Sequence, residues 1–536
     1  MPTQTTSTTN ATVLGHLHQL TLSFDGEPLF ADLSASFQPG LTGLVGRNGQ
    51  GKSVLMSVLA GVRAPTSGRV HWSVPIQWLD QLDRLDGPRL ADALGVSELF
   101  DTFARVDAGK GSPDDLDRLA DRWLKPAQWQ AVLDRAGLSQ SLDAPIEQLS
   151  GGERTRLALC RLLLHPDHYL LLDEPTNHLD ADGRTWLMDA LAQHPGGALI
   201  VSHDRSLLRR VSRILELSPQ GLTEFGGNVD HYQQQRDLAQ QAAEARAERL
   251  AAEQKQLQRA QQAELQKAAQ RRRQGEQQRK AGSQSTLLLD ARKNRAEAGL
   301  GALKRRQSER RDQLDQQLDD AKAEVERIQP QRVTLGNQRA DGRIRLLLSE
   351  LQLPFGASEP ISLTVHGGER WHLAGRNGSG KSTLLKIIAG QEKEAGGECQ
   401  VHGSVCYLDQ HFSLLDPAQS ATDNLRRLHP QRSESELRTR LAGLRLRRDD
   451  ALRPVGQLSG GERLKVALLA VTSAPQPPDL LLLDEPDNHL DLDSRLLLER
   501  ALADYGGTLL VVSHDADFIA ALRLDHRLVL GSPAVG

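Results

Sequence analysis

The sequence predicts an α/β protein made of two copies of one domain, joined by a long α-helical hairpin. One set of short motifs occurs twice, in the same order and with matched spacing. Within each copy, apolar runs ending in charged residues predict buried parallel strands that lead into helices. Between the copies the chain is rich in Gln, Ala, Arg and Glu, which favour helix, and poor in apolar residues.

Length and composition exclude several classes of protein. A chain of 536 residues exceeds the size at which one core stops growing, about 250–300 residues, so more than one domain is expected. Cys160, Cys399 and Cys406 lack the paired spacing of disulfide, zinc or iron–sulfur sites. No apolar run approaches the roughly 18 residues of a membrane span, and the first residues do not resemble a signal peptide. We therefore expect a cytoplasmic protein without a membrane domain of its own.

Changes in composition divide the chain into four segments. They are a disordered tail at 1–12, a first domain at 13–231, a basic helical hairpin at 232–335 and a second domain at 336–536. No aromatic residue lies between Tyr232 and Phe355, so the hairpin lacks rings on which single-stranded bases could stack. Each arm is expected to be roughly 40–60 Å long at 1.5 Å per residue, with Gly275 interrupting the helical run.

The two domains differ in length at one place. The distance from a shared glutamine to a shared serine is 69 positions between Gln81 and Ser150, but 49 between Gln410 and Ser459. Other corresponding intervals, such as the one from each motif lysine to that glutamine, are equal. The first domain therefore carries a small insertion within 83–148.

Each domain contains a phosphate-binding loop of the form GxxxxGK[ST] between a short apolar strand and a helix. Its glycines let backbone N–H groups surround phosphate oxygens, and the helix N-terminus adds a favourable dipole. The lysine would reach the β- and γ-phosphates of ATP, and the serine hydroxyl would bind Mg²⁺. These residues are Gly46, Arg47, Asn48, Gly49, Gln50, Gly51, Lys52 and Ser53 in the first domain, and Gly375, Arg376, Asn377, Gly378, Ser379, Gly380, Lys381, Ser382 and Thr383 in the second.

An Asp-Glu pair ends an apolar strand in each domain, and a histidine follows 29 positions after the glutamate. The aspartate can hold the Mg²⁺ shell, and the glutamate can polarise the attacking water. The histidine can contact the γ-phosphate and the glutamate. These residues are Asp173, Glu174 and His203 in the first domain, and Asp484, Glu485 and His514 in the second.

The run LSGGER occurs at 149–154 and again at 458–463, and it resembles the signature motif of ATP-binding-cassette proteins. The resemblance implies two P-loop NTPase cassettes, in which each signature closes over the nucleotide of the opposite cassette. It also implies that both sites hydrolyse ATP, since both keep every polar group of the reaction.

This resemblance assigns further residues to the two composite sites. The first joins Lys52 and Glu174 with Ser459, and the second joins Lys381 and Glu485 with Ser150. The signature residues that would contact nucleotide are Ser150, Gly151, Gly152, Ser459, Gly460 and Gly461. The lid glutamines that would sense Mg²⁺ and water are Gln81 and Gln410.

In this superfamily an aromatic residue shortly before the phosphate-binding loop stacks on adenine. Phe24 occupies that place in the first cassette. Phe355, beside Pro354, is the nearby aromatic of the second cassette, and the sequence leaves open whether it stacks on the base or packs in the core.

The segment between the cassettes is basic. Residues 271–310 contain 12 Lys and Arg against 4 acids, a net charge of +8 in a chain whose net charge is −4. These cations are Arg271, Arg272, Arg273, Arg279, Lys280, Arg292, Lys293, Arg295, Lys304, Arg305, Arg306 and Arg310. The pattern predicts contact with phosphate backbones, and folded RNA fits it better than single strands. A solvated helical spacer is the alternative.

Tandem cassettes, a basic hairpin between them and the run DEPTNHLD together resemble the ABC-F family of translational ATPases, over nearly the whole chain. The resemblance implies a monomer that binds the ribosome near the tRNA exit site and acts on rRNA and P-site tRNA through the linker. It implies regulation or rescue of translation, or antibiotic protection, with the insertion touching the ribosomal stalk. Asp487 replaces the family's threonine, and Ala516 stands where the first cassette has Arg205, so the second site is expected to turn over differently.

Two other functions remain open at this stage. One is the ATPase subunit of a transporter whose membrane part is a separate chain, which would give the basic hairpin no role. The other is a nucleic-acid maintenance ATPase with a coiled-coil projection, although the hairpin is short and lacks a sustained heptad.

Overall fold

The computed structural model describes residues 12–24, 26–80, 85, 87–177, 179–280, 305, 308–325, 333, 335, 341–357, 359–376, 378–474, 476–488 and 490–531. The chain forms two compact units. One comprises Met1–Asp230 and Gln331–Gly536, and contains both cassettes. The other is His231–Pro330, the linker.

The first cassette has nine strands and eight helices among its described residues. The strands are β1 Gly15–Phe24, β2 Glu27–Phe37, β3 Leu41–Val45, β4 Ser67–Trp72, β5 Ile76–Leu79, β6 Tyr169–Asp173, β7 Ala198–Val201, β8 Arg213–Ser218 and β9 Gly221–Gly226. The helices are α1 Lys52–Leu59, α2 Leu90–Ala93, α3 Ser97–Asp107, α4 Pro113–Leu119, α5 Lys125–Arg135, α6 Gly151–Leu163, α7 Ala181–Gln193 and α8 Arg205–Leu208.

A six-stranded sheet of order β5-β6-β7-β3-β8-β9 forms the centre of this cassette. Its strands are parallel except for β9, which pairs antiparallel with β8. The strands β3, β6 and β7 are buried along their whole length, as expected for parallel strands covered on both faces. Strands β2-β1-β4 form a second, antiparallel sheet that shares a hydrophobic core with α1.

The second cassette repeats this plan. Its strands are β10 Ile344–Gln352, β11 Ile361–His366, β12 Arg370–Gly375, β13 Gly396–Val401, β14 Val405–Leu408, β15 Leu480–Asp484, β16 Thr508–Val512 and β17 His526–Leu530. Its helices, numbered after the two linker helices, are α11 Lys381–Ile388, α12 Ala421–Leu428, α13 Glu434–Gly443, α14 Gly460–Thr472, α15 Leu492–Ala503 and α16 Ala516–Ala521. The central sheet has the order β14-β15-β16-β12-β17 and is parallel throughout.

The cassettes differ most before the signature helix, where the sequence predicts the insertion. The first cassette has four helices there, α2 to α5, and the second has two, α12 and α13. The helices of the first cassette enclose a small core of their own, in which Phe103 and Trp129 meet edge to face. Next to this core, Trp123 and Leu124 are exposed at 52% and 73%.

Two helices are described in the linker: α9 Val229–Lys280, whose first two residues still belong to the cassette unit, and α10 at 308–325. Within the linker, Gln254 donates to Asp315 at 2.7 Å and Arg310 pairs with Glu253 at 3.2 Å, so the helices run antiparallel. On α10, Leu314 and Leu318 are buried. The predicted helical hairpin is confirmed.

Two details of the linker prediction are wrong. Helix α9 continues through Gly275, because one glycine costs about 1 kcal/mol and strong helix formers flank it. Its 52 residues make it roughly 78 Å long at 1.5 Å per residue, beyond the expected arm length. Of the predicted basic residues, the exposed side chains of Arg273, Arg305 and Arg310 are described, and the rest lie outside the described side chains. No described helix is long and apolar enough to cross a membrane.

Candidate active sites

Three neighbouring strands of each central sheet bring the predicted groups together. In the first cassette, β6 ends at Asp173 and Glu174 follows it, β7 leads to His203, and β3 leads into the phosphate-binding loop. Because parallel strands end at the same edge of a sheet, these groups meet there. In the second cassette β15, β16 and β12 do the same for Asp484, Glu485, His514 and the loop at 375–382.

The phosphate-binding loops have the backbone conformation that their glycines allow. Gly51 and Gly380 precede α1 and α11 with left-handed φ angles of 87° and 93°. A Cβ atom on Gly46 would lie 2.4 Å from the carbonyl oxygen of Leu217, so this position has no room for a side chain. The loops can therefore present N–H groups at a helix N-terminus, as an anion requires.

The two loop lysines lie inside their loops. Lys52 Nζ donates to the carbonyl oxygens of Gly46 at 2.8 Å and Arg47 at 3.2 Å. Lys381 Nζ donates to those of Gly375 at 2.8 Å and Arg376 at 3.0 Å. Burial lowers the pKa of both ammonium groups, against the opposing effect of nearby carboxylates. Phosphate oxygens at the loop would give these cations the partners that favour their charged form.

The reactive carboxylates have perturbed pKa values. Burial and the neighbouring Asp173 raise the pKa of Glu174 to about 8, while Lys52 opposes the shift. Burial and Asp484 likewise raise the pKa of Glu485. Both glutamates have left-handed backbones, with φ of 49° and 48°, a conformation that costs about 1–3 kcal/mol and is concentrated at functional sites.

The histidines lie beside these glutamates. His203 Nε2 is 3.5 Å from Glu174 Oε1, and His514 Nε2 is 3.7 Å from Glu485 Oε1. Burial lowers the pKa of His203 well below its ordinary value, and lowers that of His514 to about 4. Both imidazoles are therefore neutral near pH 7, and each can donate one hydrogen bond.

The signature serines cap their own helices. Ser150 Oγ donates to Glu153 Oε2 at 2.7 Å and accepts from the Glu153 N–H at 3.4 Å; Ser459 and Glu462 form the same capping box. The sequence prediction assigned both hydroxyls to nucleotide and missed this arrangement, although the spacing S-x-x-E signals it. Gly461 also has a packing role, since a Cβ there would lie 2.2 Å from Ser494 Oγ.

The first composite site is assembled across the two cassettes. A cavity of about 950 Å³ is lined by the first phosphate-binding loop, Glu174 and His203 on one side and by Ser459 and Gly460 on the other. The loop meets the second cassette directly: the Asn48 N–H donates to Asp491 at 2.9 Å, and Arg47 pairs with Asp493 at 3.1 Å. Neither aspartate was predicted from sequence.

In the second site, charged side chains of the first cassette affect the pKa values of His514 and Glu485. The charges of Arg184 and Asp180 shift the pKa of His514, and Arg184 also acts on Glu485. Two hydrogen bonds distinguish this site among the described residues: Asn488 Nδ2 donates to Glu485 Oε2 at 2.5 Å, and Tyr407 Oη donates to Asp484 Oδ2 at 3.1 Å. The residue of the first cassette that corresponds to Tyr407 is Trp78, which has no hydroxyl group to donate to Asp173.

The structure describes one of the two predicted lid glutamines, Gln410. Gln81 and Asn377 lie outside the described residues. Gln410, which the sequence assigns to the second site, lines the cavity of the first phosphate-binding loop. Gln410 and Ser459 belong to the same cassette, and both line this cavity from the side opposite the first phosphate-binding loop.

The two candidate adenine platforms are accessible. Phe24 lines the first cavity and is 44% exposed, with the Arg63 guanidinium 5.3 Å from its ring centre. Phe355 is 72% exposed, so it does not pack in the core. Its carbonyl oxygen lies 2.8 Å from where a Cβ of Gly380 would be, which places it against the second loop.

The donor set fits a Mg²⁺ ion held together with nucleotide. No group of three or more His, Cys, Asp or Glu side chains in the described part of the chain could hold a metal alone. Mg²⁺ in nucleotide sites takes one or two carboxylates and completes its shell with phosphates and water. Asp173 accepts a hydrogen bond from Ser53, and its Oδ2 is buried without a hydrogen-bond partner among the described residues.

Known proteins match the chain over both cassettes. The profile of the ABC transporter family matches residues 30–177 and 358–488. The ATP-binding protein YdiF of Bacillus subtilis is 32% identical over 94% of this chain and 78% of its own length. The energy-dependent translational throttle protein EttA of Mycobacterium tuberculosis is 31% identical over 91% and 86%.

A solved structure shares the fold. The archaeal ribosome recycling factor aABCE1, crystallised with the ribosomal stalk protein aP1, aligns with a TM-score of 0.52 at 21% identity over 96% of this chain and 88% of its own. At that identity the likeness concerns the fold alone. The duplicated motifs, the paired cassettes and the full-length relatives together show that the chain is an ATPase of the ATP-binding-cassette family and belongs to its ABC-F group, whose members lack membrane domains.

Proposed function

We propose that the chain is an ATP-gated translation factor, which binds the ribosome near the tRNA exit site and acts on P-site tRNA through its linker. The observation that carries the proposal is the charge of the linker: +8 over residues 271–310 in a chain of net charge −4. A two-helix arm with this charge suits the backbone of folded RNA, which is recognised by shape and phosphate contacts. The names of EttA, a translational throttle, and of aABCE1, a ribosome recycling factor, agree with this.

The hydrolytic step follows from the residues around each cavity. Lys52 and the loop N–H groups would bind the β- and γ-phosphates, and Phe24 would stack on adenine. Glu174 would orient the water that attacks the γ-phosphorus, and neutral His203 would donate a hydrogen bond near the same group. Mg²⁺ held by Ser53 and Asp173 would offset the charge of the phosphate oxygens. Lys381, Glu485, His514, Ser382 and Asp484 would do the same in the second site.

The two composite sites would convert ATP binding into a change of shape. Each nucleotide contacts residues of both cassettes, so ATP stabilises the closed pair, and its loss on hydrolysis permits opening. We expect this change to redirect the linker and so to control the tRNA. Because both sites form within one chain, the protein would act as a monomer in the cytoplasm. The exposed Trp123 and Leu124 of the insertion would contact the ribosomal stalk.

Co-sedimentation with ribosomes tests the proposal. The E174Q/E485Q variant should keep ATP and stay closed, because glutamine matches glutamate in size but cannot serve as a carboxylate base. We expect it to sediment with ribosomes in ATP and to remain in the supernatant without nucleotide. Replacing Arg292, Lys293 and Arg295 with Ala in that background should weaken binding at least tenfold. It should also lower the salt dependence of binding, by about one unit of log–log slope for each phosphate that the variant no longer neutralises.

The controls separate the nucleic-acid partner from the ATPase. The triple replacement should leave ATP binding unchanged, since those residues lie far along the chain from both sites. Failure of the trapped variant to sediment with ribosomes, while it still retains ATP, would show that the translation assignment is wrong.

A further inference from the structure

The interface between the cassettes contains ion pairs on one side that the other side lacks. Arg205 and Glu499 form a bidentate pair with distances of 2.8 and 3.2 Å. One helical turn further, Arg209 forms a bidentate pair with Asp517, at 2.8 and 2.9 Å. Both arginines belong to the first cassette and both acids to the second. We call these four residues the arginine latch.

The internal repeat identifies the equivalent positions on the other side. Glu174 and Glu485, like His203 and His514, are 311 positions apart. The same offset relates Arg205 to Ala516 and Glu499 to Met188. It relates Arg209 to Ala520, and Asp517 to Ser206. Neither equivalent pair can form an ion pair, so the latch is confined to one half of the interface.

The arginine latch lies beside the first composite site. Arg205 follows His203 by two residues, and Glu499 lies one turn after Arg495 on α15. The charge of Arg495 acts on the pKa of both Glu174 and His203, so this residue of α15 lies near the first site as well as near Asp515 of its own cassette. Another ion pair occurs once within each cassette: Arg184 pairs with Asp204 in the first, and Arg495 pairs with Asp515 in the second. Because both cassettes have this pair, it does not distinguish the two halves of the interface.

The half of the interface with the latch is the more enclosed. The side chain of His203 is 7% exposed and that of His514 is 19% exposed; Glu174 and Glu485 are 16% and 26% exposed. Arg205 and Glu499 are themselves buried, at 9% and 7%, whereas Ala516 is exposed. A buried bidentate pair between arginine and carboxylate resists separation, because opening would first have to break it.

We propose that the arginine latch holds the first composite site together, so that the first half of the interface opens after the second and releases its nucleotide more slowly. Arg209 Nε also lies 3.1 Å from Asp230, the last residue of the cassette unit before the linker. The inference concerns the ATPase cycle and does not depend on the ribosome.

Exchange of residues between the two halves tests the latch. The R205A/E499M variant gives the first half the pair that the second half has, Ala516 and Met188, and leaves no unpaired buried charge. The M188E/A516R variant installs an ion pair in the second half. Both are read by stopped-flow release of a fluorescent ADP analogue from the isolated full-length protein, with K52A and K381A assigning each release phase to its site.

The wild type should release nucleotide in two phases, the slow one absent from K52A. In R205A/E499M the slow phase should accelerate at least about tenfold, the effect expected if this close charge pair across the interface is net favourable, while the fast phase stays within a factor of about two. R209A/D517S, which copies Ala520 and Ser206, should accelerate it less, because this pair is more exposed. M188E/A516R should slow the fast phase.

Two results would overturn the inference. One is an unchanged slow phase in R205A/E499M that still unfolds at the wild-type temperature. The other is a slow phase that K381A removes and K52A leaves, because the slower site would then be the one without the latch.

Discussion

The two composite sites are built from the same motifs, yet among the described residues the hydrogen bonds and ion pairs that distinguish the first run between the cassettes, and those that distinguish the second lie within its own cassette. In the first, Asn48, Arg47 and Arg205 reach across to Asp491, Asp493 and Glu499. In the second, Tyr407 and Asn488 hold Asp484 and Glu485 from the same cassette.

This difference separates two properties that the motifs alone do not distinguish. Bonds between cassettes favour a closed site that opens slowly, whereas bonds that orient a carboxylate favour rapid chemistry. Burial and Asp173 raise the pKa of Glu174 to about 8, and burial and Asp484 also raise that of Glu485, where the hydrogen bond from Asn488 opposes the shift and orients the carboxylate. We therefore expect the second site to hydrolyse ATP faster and the first to hold the cassettes together longer.

Removing the loop lysines has the largest expected effect. The K52A/K381A variant should lose at least about 100-fold in ATP turnover, because these lysines are the cations that lie inside the two phosphate-binding loops. The single variants then show whether each site can work alone. Steady-state phosphate release measures turnover, and retention of labelled ATP on a filter measures binding. Turnover by the double variant at the wild-type rate would show that the assignment of both loops is wrong.

The single glutamate variants compare the sites directly. We expect E485Q to lose several times more steady-state turnover than E174Q, because it disables the site whose carboxylate is better oriented. Phosphate release under saturating ATP gives both values in one assay. Equal losses, or the larger loss in E174Q, would contradict the proposed difference in rate.

Asn488 offers a smaller and more specific change. N488A removes the 2.5 Å hydrogen bond to Glu485 and should lower turnover about fivefold to tenfold, as expected for the loss of one hydrogen bond worth about 1–1.4 kcal/mol. N177A is the matched control at the equivalent position of the first cassette, where the described contacts include no such bond to the Glu174 side chain. N177A should therefore change turnover less than twofold. If both variants lose activity alike, orientation by Asn488 does not explain the faster site.

The sequence predicted the elements of the fold well because they depend on short-range patterns. The apolar run Leu41–Val45 forms β3 as expected, and the acidic ends of β6 and β15 carry the predicted Asp and Glu. Gly275 was misjudged because the intrinsic cost of one glycine is smaller than the helix preference of its neighbours.

The contacts that distinguish the two sites could not be predicted in this way. Arg205 and Glu499 are 294 positions apart, and no periodicity indicates that they meet. The only sequence signal was the difference between Arg205 and Ala516 at equivalent positions of the two cassettes. It indicated that the cassettes differ there, but not that Arg205 contacts Glu499. The left-handed backbones of Glu174 and Glu485 likewise follow from how the strand ends meet, and not from residue preference.

The most direct test of the account is an image of the E174Q/E485Q variant bound to a ribosome in ATP. We predict closed cassettes with ATP in both composite sites, and the linker between α9 and α10 in contact with P-site tRNA from the exit-site side. A bound complex in which the linker points into solvent, or in which the cassettes hold no nucleotide, would contradict it.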